Sequence, residues 1–208
     1  MRTRAKICGL TRTEDVAAAV EAGADAIGLV FYTPSPRHVD IEHAAKLAKS
    51  APAFVTVVGL FVNASEADVN SVIDKVDIDL LQFHGDESEA FCRSFNRPYI
   101  KAVRVASAKD ITQADREFST ARALLLDTYV EGTPGGTGES FDWSMIPADT
   151  KRPLILAGGL NPENVATAIK TVKPYAVDVS GGVESAKGIK DHDKIRAFMK
   201  EVGSFVTG

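Results

Sequence analysis

Residues 26–62 read AIGLVFYTPSPRHVDIEHAAKLAKSAPAFVTVVGLFV, and this stretch holds the fold in miniature. An apolar run, Ala26–Phe31, leads into a proline-braced loop, Thr33-Pro34-Ser35-Pro36-Arg37. An amphipathic stretch, Ile41–Ser50, follows, and then a second apolar run, Thr56–Val62. Strand, helix and strand in that order imply parallel strands joined by a right-handed crossover. The runs carry few charges, as strands do when helices cover one side and side chains fill the other.

The same alternation extends in both directions. Further strand-like runs at Ala5–Gly9, Leu80–His84, Ile100–Val105, Ala123–Asp127, Leu154–Ala157 and Ala176–Ser180 bring the set to eight. Helical patterns follow most of them, at Thr13–Ala22, Glu66–Val76, Glu87–Phe95, Ala108–Phe118, Pro162–Val172 and Asp191–Val202. The connection after the sixth run reads mostly as loop, with a short turn near Trp143. Eight such units favour closure, because an open sheet needs more polar edge strands. The expected fold is therefore α/β, a single (β/α)8 TIM barrel with a closed, parallel eight-stranded sheet, spanning residues 1–208 as one catalytic domain. Local signals agree: Thr11 with Glu14, and Ser65 with Asp68, have capping-box spacing, and Asn161-Pro162 sets an N-cap before a first-turn proline.

Composition excludes several function classes. The chain has 208 residues, 45% of them hydrophobic, and a formal net charge of −4, so no chain-wide attraction to nucleic acid is expected. No apolar stretch approaches the ~20 residues that cross a bilayer, and the N-terminus runs directly into a strand pattern with no signal-peptide core. A soluble, cytoplasmic protein is the expectation. The two cysteines, Cys8 and Cys92, are far apart and show neither CxxC nor zinc spacing, so free thiols in a reducing compartment and no metal centre are expected. No helix face looks more apolar than a barrel requires, which favours a monomer and leaves a homodimer open.

Barrel chemistry gathers at the C-terminal ends of the strands, and two such ends stand out. Cys8 closes the first run and Asp127 the sixth, directly after three leucines. Side chains alternate along a strand, so Lys6 shares a face with Cys8, and Asp178 with Ser180. First and last strands are neighbours in a closed barrel. Lys6 is therefore expected to meet Asp178 inside it, since an unpaired buried charge is costly. That ammonium would favour the thiolate of Cys8, whose ordinary pKa is about 8.5, and make the cysteine a base. The competing reading is a small buried filler. A partly desolvated Asp127 would have a raised pKa and donate a proton, or else it braces a loop.

Arg37, in its proline-braced loop, suits bidentate contact with a carboxylate or is an ordinary surface arginine. Gly158-Gly159 and Ser180-Gly181-Gly182 follow the seventh and eighth runs, where backbone amides of such barrels often cradle phosphate; tight turns use glycine pairs too. His84 points the same way as Gln82 and suits acid–base work, a substrate contact or a structural hydrogen bond. Pro134-Gly135-Gly136-Thr137-Gly138 reads as a loop able to fold over a ligand, or as a plain connector.

Several segments, taken in order, resemble the phosphoribosylanthranilate isomerases nearly end to end. They are Lys6-Ile7-Cys8-Gly9-Leu10-Thr11, Gly28-Leu29-Val30-Phe31 with Ser35-Pro36-Arg37, Val58-Gly59-Leu60-Phe61-Val62-Asn63 and Gln82-Phe83-His84-Gly85-Asp86-Glu87. Leu126-Asp127, Gly136-Thr137-Gly138 with Phe141-Asp142-Trp143, Ala157-Gly158-Gly159-Leu160 and Asp178-Val179-Ser180 complete the series. The resemblance implies an Amadori rearrangement in tryptophan biosynthesis, on a small phosphorylated substrate and with no metal or organic cofactor. It implies Asp127 as general acid, Cys8 as general base, Arg37 on the anthranilate carboxylate, and the loops at Gly158-Gly159 and Ser180–Gly182 on the phosphate. One departure shows: the family's last phosphate loop commonly reads Ser-Ser-Gly-Val-Glu, where this chain has Ser180-Gly181-Gly182-Val183-Glu184. Two rival readings are another sugar-phosphate barrel enzyme, such as indole-3-glycerol-phosphate synthase, and a non-catalytic phosphate-binding barrel. The sequence leaves open whether the histidine-pathway aminoaldose is also accepted.

Overall fold

The structure is a computed structural model and describes residues 2–128, 142–147 and 149–204. Eight parallel strands close into a barrel in chain order: β1 (Arg4–Cys8), β2 (Ala26–Val30), β3 (Thr56–Phe61), β4 (Leu80–Phe83), β5 (Tyr99–Val105), β6 (Leu124–Thr128), β7 (Leu154–Leu156) and β8 (Ala176–Val179). Outside them lie α1 (Thr13–Glu21), α2 (Ile41–Ser50), α3 (Glu66–Ile73), α4 (Glu89–Cys92), α5 (Ala108–Glu117), α6 (Val165–Val172) and α7 (His192–Gly203). A 3₁₀ turn at Trp143–Met145 precedes β7. The loop segment Pro134–Gly138 and the motif residue Phe141 lie outside the described residues.

Period-two alternation sorts the barrel wall. Leu124 and Leu126 join the large core beneath the helices. Leu125 belongs to a separate cluster with Ile100, Ala102, Ala123, Ile155, Ala157 and Ala176, which is the filling of the barrel. Asp127, two residues beyond Leu125, shares its face and surmounts that filling. Cys8, Val30 and Leu60 form a small cluster of their own. Closure sets β1 against β8 with Lys6 opposite Asp178.

The structure departs from the sequence reading at several helix ends. The helix expected over Glu87–Phe95 is a single turn. Its apolar signal came from aromatics: Phe91 and Phe95 pack on Phe83 at 5.8 and 5.7 Å between ring centroids, which a turn and a bend supply as well as a helix does. Thr11 does not cap α1; its hydroxyl donates to the Gly188 carbonyl instead. Ser65 does cap α3, accepting from the Asp68 N–H. Asn161 accepts from the N–H groups of Glu163 and Asn164, making a turn that delays α6 to Val165. A short antiparallel hairpin, β9 (Glu184–Ala186) with β10 (Ile189–Lys190), lies between β8 and α7.

Candidate active site

A cavity of about 430 Å³ opens at the C-terminal ends of the strands. Cys8, Arg37, His84, Asp127, Gly158, Gly159, Asp178, Ser180, Gly181 and Gly182 all line it. Every expected site residue except Lys6 is thus on one wall or another, and Lys6 lies just beneath. Its ammonium donates to Asp178 Oδ1 at 2.9 Å. Side-chain exposures of 6% and 9% make this a buried pair, as the strand register required.

Lys6 favours the Cys8 thiolate in the expected direction, but the net balance at Cys8 goes the other way. Burial pushes the Cys8 thiol up, and the attraction of Lys6 and Lys190 for a thiolate does not offset it. The desolvation cost wins because Cys8 is only 4% exposed and Asp178, beside Lys6, repels a second negative charge. Free Cys8 is a thiol at neutral pH. The room it occupies comes from Gly28: a Cβ there would stand 2.6 Å from Cys8 Sγ and 3.1 Å from Lys6 Cε. Glycine in the neighbouring strand is what lets a thiol and an ammonium sit one above the other.

Asp127 and His84 meet across the opposite wall, with His84 Nε2 3.1 Å from Asp127 Oδ2. The other ring nitrogen, Nδ1, faces Gln82 Nε2 at 3.1 Å. Arg37 reaches in from the β2–α2 loop, but its fork is already closed on a protein carboxylate. Nε and Nη2 each donate to Glu184 at 2.7 Å. The Glu184 contact outweighs the cost of burial and leaves Arg37 firmly charged. Among the described residues nothing accepts from Nη1. Burial would raise the Glu184 carboxyl, yet Arg37 and Lys190 outweigh it and hold Glu184 below the usual carboxylate range.

The two glycine loops are shaped differently. Gly158 and Gly159 both take positive φ, 76° and 64°, a conformation that turns successive backbone groups without a side-chain clash. Gly182 is required for another reason, since a Cβ there would strike the Leu160 carbonyl. Lys190 underpins the second loop. Its ammonium, with no side-chain exposure, donates to the Ser180 carbonyl at 3.1 Å and to Glu184 at 2.9 Å.

Glu184 and Lys190 were missed in the sequence. Glu184 stood in the quoted loop motif without a role, and Lys190 sits on a two-residue strand too short to show a pattern. Among the described residues no group of histidine, cysteine and acidic side chains is arranged to hold a metal, and no helix is long and apolar enough to cross a membrane.

Barrel and cleft define the class: a (β/α)8-barrel enzyme whose cavity at the strand C-termini joins two glycine loops to a thiol and a carboxyl. Comparison with known proteins narrows the class. Residues 5–201 match the family model for N-(5'phosphoribosyl)anthranilate (PRA) isomerase. The N-(5'-phosphoribosyl)anthranilate isomerase of Pseudomonas fluorescens strain SBW25 is 63% identical over 199 residues, covering 96% of this chain and 95% of that protein. The crystal structure of phosphoribosyl anthranilate isomerase from Thermotoga maritima superposes with a TM-score of 0.91 at 42% identity, over 98% of this chain and 100% of that one. A further isomerase structure, with bound reduced 1-(o-carboxyphenylamino)-1-deoxyribulose 5-phosphate, superposes with a TM-score of 0.87, and the Thermotoga enzyme is described as dimeric. The chain belongs to the N-(5'-phosphoribosyl)anthranilate isomerase family. The indole-3-glycerol-phosphate synthase and non-catalytic readings fall away with that finding.

Proposed function

We propose that this cavity converts N-(5-phosphoribosyl)anthranilate to 1-(2-carboxyphenylamino)-1-deoxyribulose 5-phosphate, the isomerisation step of tryptophan biosynthesis, with Asp127 as acid and Cys8 as base. The supporting observation is that a thiol from β1 and a carboxyl from β6 line one cavity. Asp127 protonates the furanose ring oxygen. The C1′–O bond breaks, and the anilino nitrogen lone pair closes to an iminium. Cys8 as thiolate removes the C2′ proton; the C–H electrons form the C1′–C2′ double bond and the iminium π pair returns to nitrogen. The enolamine then loses its O2′ proton to the Asp127 carboxylate while the Cys8 thiol protonates C1′. Both groups are restored and no atom is gained or lost. The iminium is the electron sink, so the residues supply only proton transfer and position.

The phosphate rests on Gly158-Gly159 and Ser180–Gly182, His84 holds Asp127, and Arg37 offers its Nη1 edge to the anthranilate carboxylate. The reading takes residues 1–208 as one catalytic domain in the cytoplasm. It takes the protein as a monomer, with a homodimer left open.

The test is a coupled fluorescence assay on freshly generated substrate. Cys8→Ala and Asp127→Asn should each lower turnover by at least ~10²-fold, the ordinary loss for an acid–base group. Wild-type turnover in either would end that assignment. Because burial raises the Cys8 thiol, the base is the minor form at neutral pH. The wild-type kcat/KM should climb through the alkaline range, and a flat profile there would count against the thiolate. Arg37→Ala should raise KM chiefly; an unaltered KM rejects the carboxylate contact.

A further inference from the structure

Gln82 is fully buried on β4, lines the cavity and has no place in the scheme above. Its amide uses one end only. Nε2 lies 3.1 Å from His84 Nδ1, whereas Oε1 is buried with no hydrogen-bond partner among the described residues. Buried polar atoms are rarely left so. A glutamine that braced the barrel would use both ends, and an apolar side chain of its size would leave no orphan. What the amide does supply is an N–H aimed at one nitrogen of an imidazole whose other nitrogen touches Asp127.

We propose that Gln82 is a positioning residue: its N–H fixes the tautomer of His84, and through His84 it decides which oxygen of Asp127 carries the acid proton. This deepens the assignment of Asp127 and rests on it. A neutral imidazole has one N–H and one lone pair. An amide N–H has only hydrogen to offer, so the nitrogen it faces, Nδ1, must present the lone pair. The ring proton then lies on Nε2, which donates to Asp127 Oδ2. With Oδ2 held as an acceptor, the acid proton is confined to Oδ1. When that proton leaves for the ring oxygen, the new carboxylate keeps the His84 bond, which becomes charge-assisted and stronger. No ring or proton has to rearrange during the step.

The reverse setting has the opposite effect. Were the amide turned so that its oxygen accepted from Nδ1–H, Nε2 would be bare and would accept the Asp127 proton itself. His84 would then compete with the substrate for the acid. Gln82 touches neither substrate nor reacting atoms in this account; it acts by setting the ring.

Nitrogen-15 NMR of His84 in the wild-type enzyme tests this directly. The expected result is a neutral ring with the proton on Nε2 and none on Nδ1. Gln82→Glu should put a proton on Nδ1, because a carboxylate can only accept, and should lower kcat by about tenfold or more with KM little changed. Gln82→Met, which can neither donate nor accept strongly, should populate both tautomers and fall between. A wild-type ring protonated on Nδ1 overturns the proposal. So does a Gln82→Glu enzyme whose ring has switched while kcat has not, or Gln82 variants that lose activity with the tautomer unmoved. Should Asp127→Asn keep wild-type turnover, the acid assignment fails by itself, while the tautomer measurement still reports on Gln82.

Discussion

Two adjacent glycines in the loop after β8 are under opposite constraints. A Cβ on Gly182 collides with the backbone carbonyl of Leu160, whereas a Cβ on Gly181 meets only Arg37 Nη2, at 3.3 Å. At 3.3 Å the Arg37 end needs to give only a few tenths of an ångström, which its fork on Glu184 can absorb; the Leu160 carbonyl would have to move much further. In this chain position 181 therefore has room for a serine and position 182 does not. Gly181→Ser should therefore fold as the wild type does and place a hydroxyl in the loop after β8. With phosphate on that loop as proposed, a hydrogen bond to a charged group contributes about 1.5 kcal/mol or more, so KM and inhibition by inorganic phosphate should tighten by about tenfold or more. Gly182→Ala should instead cost about 1–3 kcal/mol by overpacking and raise KM. Equal phosphate affinity in the two variants would show that neither glycine shapes the cradle.

Strand ends were legible in the sequence for a physical reason. A buried strand tolerates a polar side chain only where it leaves the core, so Cys8, Asp127 and Asp178 stood out against apolar runs, and the parallel register of β1 on β8 followed from closure. The helix-side elements were less legible. The single turn of α4 and the late start of α6 depend on aromatic packing and an Asn161 side-chain turn, which leave the helical period intact. The β9–β10 hairpin was missed because five residues carry no periodicity, and with it went Glu184 and Lys190.

The β1–β8 seam makes its own prediction. The Lys6–Asp178 pair is buried, so removing one partner strands the other's charge. Lys6→Met should cost about 3–5 kcal/mol in urea unfolding. The double variant Lys6→Met/Asp178→Leu should recover much of that loss. Additive losses would mean that the two charges do not compensate each other.

At the scale of the whole molecule, the barrel is closed a second time outside the sheet, through Asp15. Its side chain is fully buried, yet it belongs to α1 and binds its own helix's N-cap residue and two other elements. Arg12 donates to it at 2.6 Å, His192 Nε2 at the start of α7 lies 2.9 Å away, and the Lys190 N–H of β10 donates at 3.2 Å. The first helix is thereby tied to the last and to the hairpin whose lysine supports the loop after β8. Burial alone would raise the Asp15 carboxyl, but the bonds from Arg12, His192 and the Lys190 amide prevail and hold it below the usual range. A carboxyl depressed on folding stabilises the fold above its unfolded pKa of about 3.9, and that contribution is lost as pH falls through the lower folded value. Asp15→Asn keeps the shape and removes the titration. At neutral pH it should be less stable by about 1–3 kcal/mol, because donors built for a carboxylate are left poorly matched. Below pH ~4 the gap to wild type should shrink, since protonated Asp15 resembles asparagine. Urea midpoints measured for both proteins across that range decide the matter. Parallel curves, with the same gap at acid and neutral pH, would show that the seam is held by packing of α1 on α7 rather than by the Asp15 charge.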